Sequence, residues 1–235
     1  MGGANRSVGV VMVFAVAVAL TACDDSASKP KPRRQPVAAM SASELKAGML
    51  PPSDFGPGLH FPPDAPAIHP DTAGDIKLVT QKVDCTQLIY GGDPEAAVAS
   101  AHAIGMATRS AHGFFERAAQ YRPGDAAVAL TALAGQGRAN CAAFTNTVSS
   151  TQALSDTITV TAKPGLGGQA YLFEQFETSS GMGFAADASP DVSDTLTVQY
   201  GDVLVSAGCN GAQTEARGCD LPAAVEKIAR LLKLT

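Results

Sequence analysis

Two acidic side chains, Glu174 and Glu177, lie next to aromatic residues and could support hydrolytic chemistry. Paired carboxylates cleave glycosidic bonds when they stand about 5 to 10 Å apart on either side of a sugar. The alternating apolar residues around them predict a β-strand, however, and residues three positions apart on a strand point to opposite faces. The sequence therefore disfavours a catalytic pair at these positions.

The sequence also contains four histidines, which are common metal ligands. None of them, His102 and His112 included, belongs to a His-Glu-x-x-His pattern, and the interval between His60 and His69 is rich in proline, which does not preorganise a metal site. Nucleophile elbows of the Gly-x-Ser-x-Gly type, phosphate-binding P-loops and dinucleotide fingerprints are absent as well. We therefore predict no catalytic residues, no metal, no cofactor and no enzymatic activity.

An aromatic group formed by Tyr171, Phe173 and Phe176 is the candidate for a ligand-binding wall. Binding clefts are mostly apolar, with a few polar groups that orient the ligand. Aromatic residues of an alternating strand can equally well belong to the ordinary core, and the sequence leaves both interpretations open.

The clearest chemistry belongs to Cys23. It follows Leu20-Thr21-Ala22 and an apolar run from Val8 to Leu20, which Arg6 precedes. That run is shorter than the roughly 20 residues that a membrane-spanning helix needs, and the whole pattern is typical of an export signal. The four residues ending at Cys23 resemble the bacterial lipobox, in which the thiol receives a diacylglyceryl group before the signal is cleaved. We predict a lipoprotein signal peptide over residues 1–22 and lipidation of Cys23.

The segment that follows Cys23 predicts a tether. Residues 23–40 are polar and interrupted by proline, so they cannot form a core. Two acyl chains hold a protein durably at a bilayer. We therefore expect a lipid-anchored protein on the extracytoplasmic face of the cell membrane, with one domain over residues 41–235.

Four further cysteines lie in this domain, at positions 85, 141, 209 and 219. In an exported chain an even number indicates two disulfides, for which three connectivities exist. No Cys-x-x-Cys pair is present, which disfavours a zinc ribbon or a redox motif. We favour pairing Cys85 with Cys141 and Cys209 with Cys219, because each bond then closes a local region.

Net charge excludes one class of partner. The whole chain has a formal net charge of −5, and the domain is more acidic still because the first forty residues are net basic. Nucleic-acid binding requires clustered lysine and arginine, so we predict no nucleic-acid partner.

Local patterns predict an α+β fold. Ser41 and Glu44 have the spacing of a capping box, which predicts a helix through Leu50. Further elements are a strand at 76–79, a helical turn at 86–90, a strand ending near Tyr121, a helix that Asp125 caps and that ends at 135–137, a helix at 221–234, and alternating strands at 158–160, 171–173, 196–200 and 203–205. The predicted apolar face of the first of these helices is formed by Ala127, Val128, Leu130, Leu133 and Ala134. Gly201-Asp202 predicts a two-residue hairpin turn. Together they predict a single domain in which an antiparallel sheet packs against helices.

The order of these parts resembles a known family. The motifs that carry the resemblance are Met49-Leu50-Pro51, Tyr121-Arg122-Pro123, Pro164-Gly165-Leu166-Gly167 and Gly208-Cys209, together with the lipobox. They resemble actinobacterial extracytoplasmic sensor-domain lipoproteins, which look related to the extracellular domain of PknH-type receptor kinases. The resemblance implies an α+β domain with two disulfides and a surface cleft for an unidentified ligand, and it supplies no catalytic residues.

The leading hypothesis is therefore a non-enzymatic ligand-binding or sensor module. The alternative is a scaffolding lipoprotein that binds another protein of the cell envelope, and a cell-wall hydrolase is the third hypothesis. A concave apolar pocket supports the first hypothesis, whereas a large exposed apolar patch away from any pocket supports the second.

Overall fold

Pairing between antiparallel strands organises the part of the chain that the computed structural model describes, namely residues 39–61, 69–70, 85, 88, 91, 97–107, 112–149, 152–181 and 191–235. These residues all belong to one unit, Arg34–Thr235. The predicted signal peptide, Cys23 and the strand expected at 76–79 lie outside them. None of the described helices is long and apolar enough to cross a bilayer.

The described strands join into one antiparallel sheet. They are β1 Leu59–His60, β2 His69–Pro70, β3 Ala99–Ala107, β4 Gly113–Gln120, β5 Ala143–Ser149, β6 Gln152–Ala162, β7 Ala170–Gly181, β8 Asp191–Tyr200 and β9 Val203–Ala212. Their order across the sheet is β1-β3-β4-β9-β8-β7-β6-β5, and β2 also pairs with β3. Strands β5 to β9 follow one another as a meander, and β9 then pairs with β4 from much earlier in the chain. The predicted α+β class with an antiparallel sheet is confirmed.

Helices cover both faces of the sheet. They are α1 Ala42–Lys46, α2 Asp125–Ala139, α3 Gln213–Ala216 and α4 Leu221–Leu231, with a 3-10 turn at Pro52–Asp54. One face, called here the α4 face, packs residues such as Phe114 and Val205 against α1 and α4. The opposite face, called the α2 face, packs residues such as Phe173 and Leu204 against α2. Residues directly paired across neighbouring strands share a face, so the strand register assigns each side chain to one of the two.

Helix α1 begins as the sequence predicts and ends earlier. Both hydrogen bonds of the capping box between Ser41 and Glu44 are present. The helix ends at Lys46, so the expectation that it would continue to Leu50 is wrong. The Leu50 N–H donates instead to both carboxylate oxygens of Glu116 on β4, at 3.0 Å each. A long-range acceptor has replaced the next helical hydrogen bond.

Helix α2 differs from the prediction at both ends. Asp125 is its first residue rather than its cap, and the N-cap is Gly124, whose N–H donates to Asp202 Oδ1 at 2.7 Å. The helix continues past the expected stop to Ala139. Val128, expected on the apolar face, is 68% exposed because Ala126, two positions earlier, takes the buried side.

The C-terminal helix and the hairpin match their patterns closely. The turn at Gly201 and Asp202 joins β8 to β9 as predicted. Helix α4 ends at Leu231 rather than at 234, and Leu231 points to solvent while Leu232 is buried. The sequence patterns predict none of the strands β1, β2, β3 and β5. Of the helical turn expected at 86–90, the structure describes only Leu88, which is helical and buried like Cys85 before it.

Both expected disulfides are present. Cys85 is bonded to Cys141 with a Cα–Cα distance of 5.5 Å, and Cys209 to Cys219 with one of 6.4 Å. The first bond places Cys85 against Cys141, two residues after the end of α2, within the core of the α2 face. The second ties the end of β9 to the segment that leads into α4.

Candidate ligand-binding cleft

A cleft opens on the α4 face where the helices stop covering the sheet. It has a volume of about 320 Å³ and lies between strands β7 and β8, the turn after β6, and the segment from α3 to the start of α4. Its walls are largely apolar: Leu172 and Leu196 rise from the strands, Leu166 from the turn, and Leu221 with Pro222 from the start of α4.

The second disulfide positions one wall of this cleft. Cys219 lines the cleft and is bonded to Cys209 on β9. Helix α4 begins two residues after Cys219, at Leu221. The helix itself is fixed by its cap, because the Asp220 carboxylate accepts from the Ala223 N–H at 3.1 Å and Pro222 lies in the first turn. A covalent bond and a helix cap therefore hold the α4 side of the cleft in place.

Asp194 supplies a buried acceptor in this apolar setting. Only 7% of the residue is exposed, and among the described residues its Oδ1 has no hydrogen-bond partner. Burial raises the pKa of this carboxyl and the charge of Glu174 raises it further, whereas Arg217 and Lys163 act in the opposite direction. An unsatisfied buried acceptor costs roughly 1 to 3 kcal/mol. A ligand that donates a hydrogen bond to Oδ1 would remove that cost.

The charged groups of the cleft are placed by strand register. Glu174 on β7 is directly paired with Asp194 on β8, so both point into the cleft. Lys163 and Arg217, which also line it, bring two positive charges. Among the described lining residues there is no histidine, hydroxyl or free thiol, since Cys219 is in a disulfide. The polar groups of the cleft are therefore two carboxyls and two cations, which can bind and orient a ligand.

The candidate aromatic residues lie elsewhere. Tyr171 and Phe173 point to the α2 face, where Phe173 is 2% exposed within the core and the Arg138 guanidinium stands 5.3 Å from the Tyr171 ring centroid. Phe176 is an odd number of positions from both and points to the α4 face. The three side chains do not form one wall, and none of them lines the cleft.

The acidic pair behaves as the strand pattern predicts. Glu174 lies on the α4 face and Glu177 on the α2 face of the same strand, so they cannot act on one substrate. Each has a different acidic neighbour across the β7–β8 pairing: Asp194 for Glu174, and Asp191 for Glu177.

The histidines do not converge on a metal site within the described part of the chain. His112 Nε2 lies 3.8 Å from Cys219 Sγ, and Cys209 completes a compact group of three. Both sulfurs belong to one disulfide, so neither is a thiolate that could bind an ion. His102 is buried on the α2 face, and His60 lies on β1. The side chain of His69 lies outside what the structure describes.

The sequence of β8 contains a further signal for the cleft. On β8 the positions that point to the α4 face are Val192, Asp194, Leu196, Val198 and Tyr200. An aspartate between valine and leucine on an inward-facing register is unusual, because buried carboxylates are costly. The interruption of this apolar pattern is visible in the sequence alone and singles out Asp194 as a candidate.

Comparisons with known proteins give a limited result. No protein-family model matches this chain, and no curated protein matches it. Among solved structures it is similar to the crystal structure of the extracellular domain of PknH from Mycobacterium tuberculosis, at 16% sequence identity and a TM-score of 0.49, over 86% of this chain and 99% of that chain. No residue role is transferred at this identity.

Proposed function

We propose that this chain is a non-enzymatic ligand-binding module that works outside the cytoplasm and is held at the membrane by a lipid on Cys23. The observation that carries the proposal is the leucine-lined cleft with the buried acceptor Asp194 Oδ1. Apolar concavities with a few convergent polar groups are typical of small-molecule sites, and a carboxyl with a perturbed pKa supports such a role.

The lining indicates the kind of molecule that fits. Leucine and proline side chains favour an apolar body, and Asp194 favours a hydrogen-bond donor at one end. A volume of about 320 Å³ is at the small end of the range of known ligand pockets. We therefore propose a small, mainly apolar ligand that carries one donor group.

The test is native mass spectrometry of the full-length protein extracted from the envelope in which it was exported. We expect a bound molecule that is lost on denaturation. Leu166→Trp, which fills the cleft, should abolish its retention, whereas Val128→Trp, on the exposed side of α2, should leave it unchanged. With the recovered ligand, Asp194→Asn should lower affinity about tenfold, because a neutral acceptor bonds less strongly than a charged one.

If neither the wild type nor any variant retains a bound molecule, the result contradicts this proposal and favours the alternative of a protein-binding lipoprotein. Within the described residues the most exposed large apolar side chains are scattered over several elements, and only Ile104 and Met106, both on β3, are near neighbours. This distribution favours the cleft over a broad docking patch.

One observation keeps hydrolysis as a second candidate function. Glu174 and Asp194 are directly paired across β7 and β8, and such pairs have Cβ atoms about 5 Å apart, close to the spacing of a retaining glycosidase. The apolar lining disfavours a sugar. Release of reducing ends from cell-wall glycans by wild type but not by Asp194→Asn would establish hydrolysis.

The membrane anchor has its own test. We propose that residues 1–22 are removed, that Cys23 carries the diacylglyceryl group, and that residues 23–40 act as a tether to the domain over 41–235. Cys23→Ala should move the protein from the membrane fraction to the soluble fraction, because both acyl chains are lost. Continued membrane association of that variant would contradict lipid anchoring.

A further inference from the structure

A second cavity, of about 300 Å³, lies on the α2 face of the sheet, beyond the area that α2 covers. Strand register gives it an ordered arrangement of rows. One row consists of acids: Glu177 on β7 and Asp191 on β8 are directly paired and line the cavity. Asp156 on β6 is paired with Glu177 and extends the row beyond the lining. The adjacent row contains Gln175 and Ser193, and these are directly paired as well.

The acidic row is unfavourable as it stands. Like charges directly opposite each other on neighbouring strands repel. Burial raises the pKa of the Glu177 carboxyl, and the charges of Asp156 and Asp191 raise it further. Among the described residues that line the cavity there is no lysine, arginine or histidine to offset the charges of Glu177 and Asp191. A cation bound in the cavity would do so.

Gln175 gives independent support for a ligand. The residue is 7% exposed, its Nε2 donates to Asp156 Oδ1 at 2.6 Å, and its Oε1 has no hydrogen-bond partner among the described residues. The amide is therefore held in one orientation by the buried aspartate, with an unsatisfied acceptor in a residue that lines the cavity. Buried acceptors of this kind ordinarily have a partner.

The size and the walls of the cavity favour an organic cation over a metal ion. Phe115 and Ile104 form an apolar side next to the polar rows, against which an alkyl chain can pack. Metal coordination requires several ligand atoms around one point. Within the described residues the three carboxylates do not form a compact group of potential ligands. Acceptors along a row beside an apolar side suit an alkylammonium ion, whose charged group carries three donors.

We propose that this cavity binds a small organic cation through its ammonium group, which donates to Glu177, Asp191 and the Oε1 of Gln175, while its alkyl part packs on Phe115 and Ile104. The cavity is separate from the leucine-lined cleft on the opposite face, so this proposal does not depend on the function proposed above.

The experiment is an NMR titration of the isotopically labelled full-length protein in a neutral detergent. The ligands are n-butylammonium and 1-butanol, which have the same number of heavy atoms but differ in charge. We expect saturable shifts at the side-chain amide of Gln175 and at the backbone amide of Ser193 with butylammonium, with a Kd on the order of 1 mM. Butanol should produce no saturable shift there.

Variants then test whether the negative charge of Glu177 is needed for amine binding. Glu177→Gln should weaken butylammonium binding at least tenfold, whereas Glu226→Gln, which removes an equally negative but exposed group from α4, should not change it. If the spectrum of Glu177→Gln shows that the variant is unfolded, the proposal is tested by wild type alone, through the difference between the shifts with butylammonium and those with butanol. Three results overturn the proposal: no saturable shift up to about 50 mM amine, an unchanged Kd in folded Glu177→Gln, or shifts at the same amides with calcium chloride but not with the amine.

Discussion

Glu116 should make the protein less stable as pH rises. Its side chain is fully buried on β4, where both carboxylate oxygens accept the Leu50 N–H at 3.0 Å. Burial raises the pKa of this carboxyl to about 8; the bond from Leu50 opposes the rise, and the charge of Asp54 adds to it. A carboxyl in the unfolded chain has a pKa near 4.5.

The direction of the effect follows from proton binding. Between pH 4.5 and 8 the folded state keeps the proton on Glu116 and the unfolded state has lost it. Stability from this group is therefore complete below pH 4.5 and is lost as pH rises towards 8. At about 1.4 kcal/mol for each pH unit, the full loss is on the order of 5 kcal/mol. Between pH 5 and 8 we expect a loss of about 3 to 4 kcal/mol.

The assay is urea denaturation followed by circular dichroism at pH 5, 6, 7 and 8, for wild type and for Glu116→Gln. Glutamine keeps an acceptor for the Leu50 N–H and cannot ionise. The free energy of unfolding of the variant should therefore decline less with pH than that of wild type, and the two curves should converge or cross towards pH 8. Glu226→Gln, on the surface of α4, should retain the wild-type slope. Parallel curves for wild type and Glu116→Gln would refute the reasoning.

Three further predictions concern stability, each measured as the change in the free energy of unfolding in urea. Replacing Cys85 and Cys141 with alanine removes a loop closure over 56 residues and should cost about 4 kcal/mol, with an unchanged value refuting the bond. Gly105→Ala should cost about 1 to 3 kcal/mol, because its Cβ would overlap the buried Phe114 ring, whereas Gly135→Ala, with no atom within 4 Å of the new Cβ, should be neutral or stabilising by up to about 1 kcal/mol. Equal effects of the two glycine changes would contradict the packing on β3.

Local chemistry made several elements predictable. The capping box at Ser41 and Glu44 requires only neighbouring residues, and so does the turn at Gly201, whose φ of 62° suits glycine. The alternating residues that predict β8 and β9 reflect the strand geometry, in which successive side chains point to opposite faces of the sheet. Such signals are contained within a few consecutive residues, so the sequence displays them directly.

Other elements depended on partners far along the chain. Strand β3 is rich in alanine and has few of the β-branched residues that favour strands. It forms because its backbone pairs with β4 across the sheet. Likewise α1 ends at Lys46, and the Leu50 N–H that follows donates to Glu116, 66 positions later in the chain. Neither partner could be read from the local pattern.

The binding sites show the same division. The sequence by itself determined the candidate lipid anchor at Cys23, the class of fold, and the separation of Glu174 from Glu177 onto opposite faces of one strand. Only the tertiary structure decided which acids and amides meet, because Asp194 and Gln175 acquire their neighbours through pairing between strands. It also decided where the helices leave the sheet uncovered. Phe173 belongs to the core of the α2 face and Tyr171 packs against that core, and the cleft lies where α4 begins.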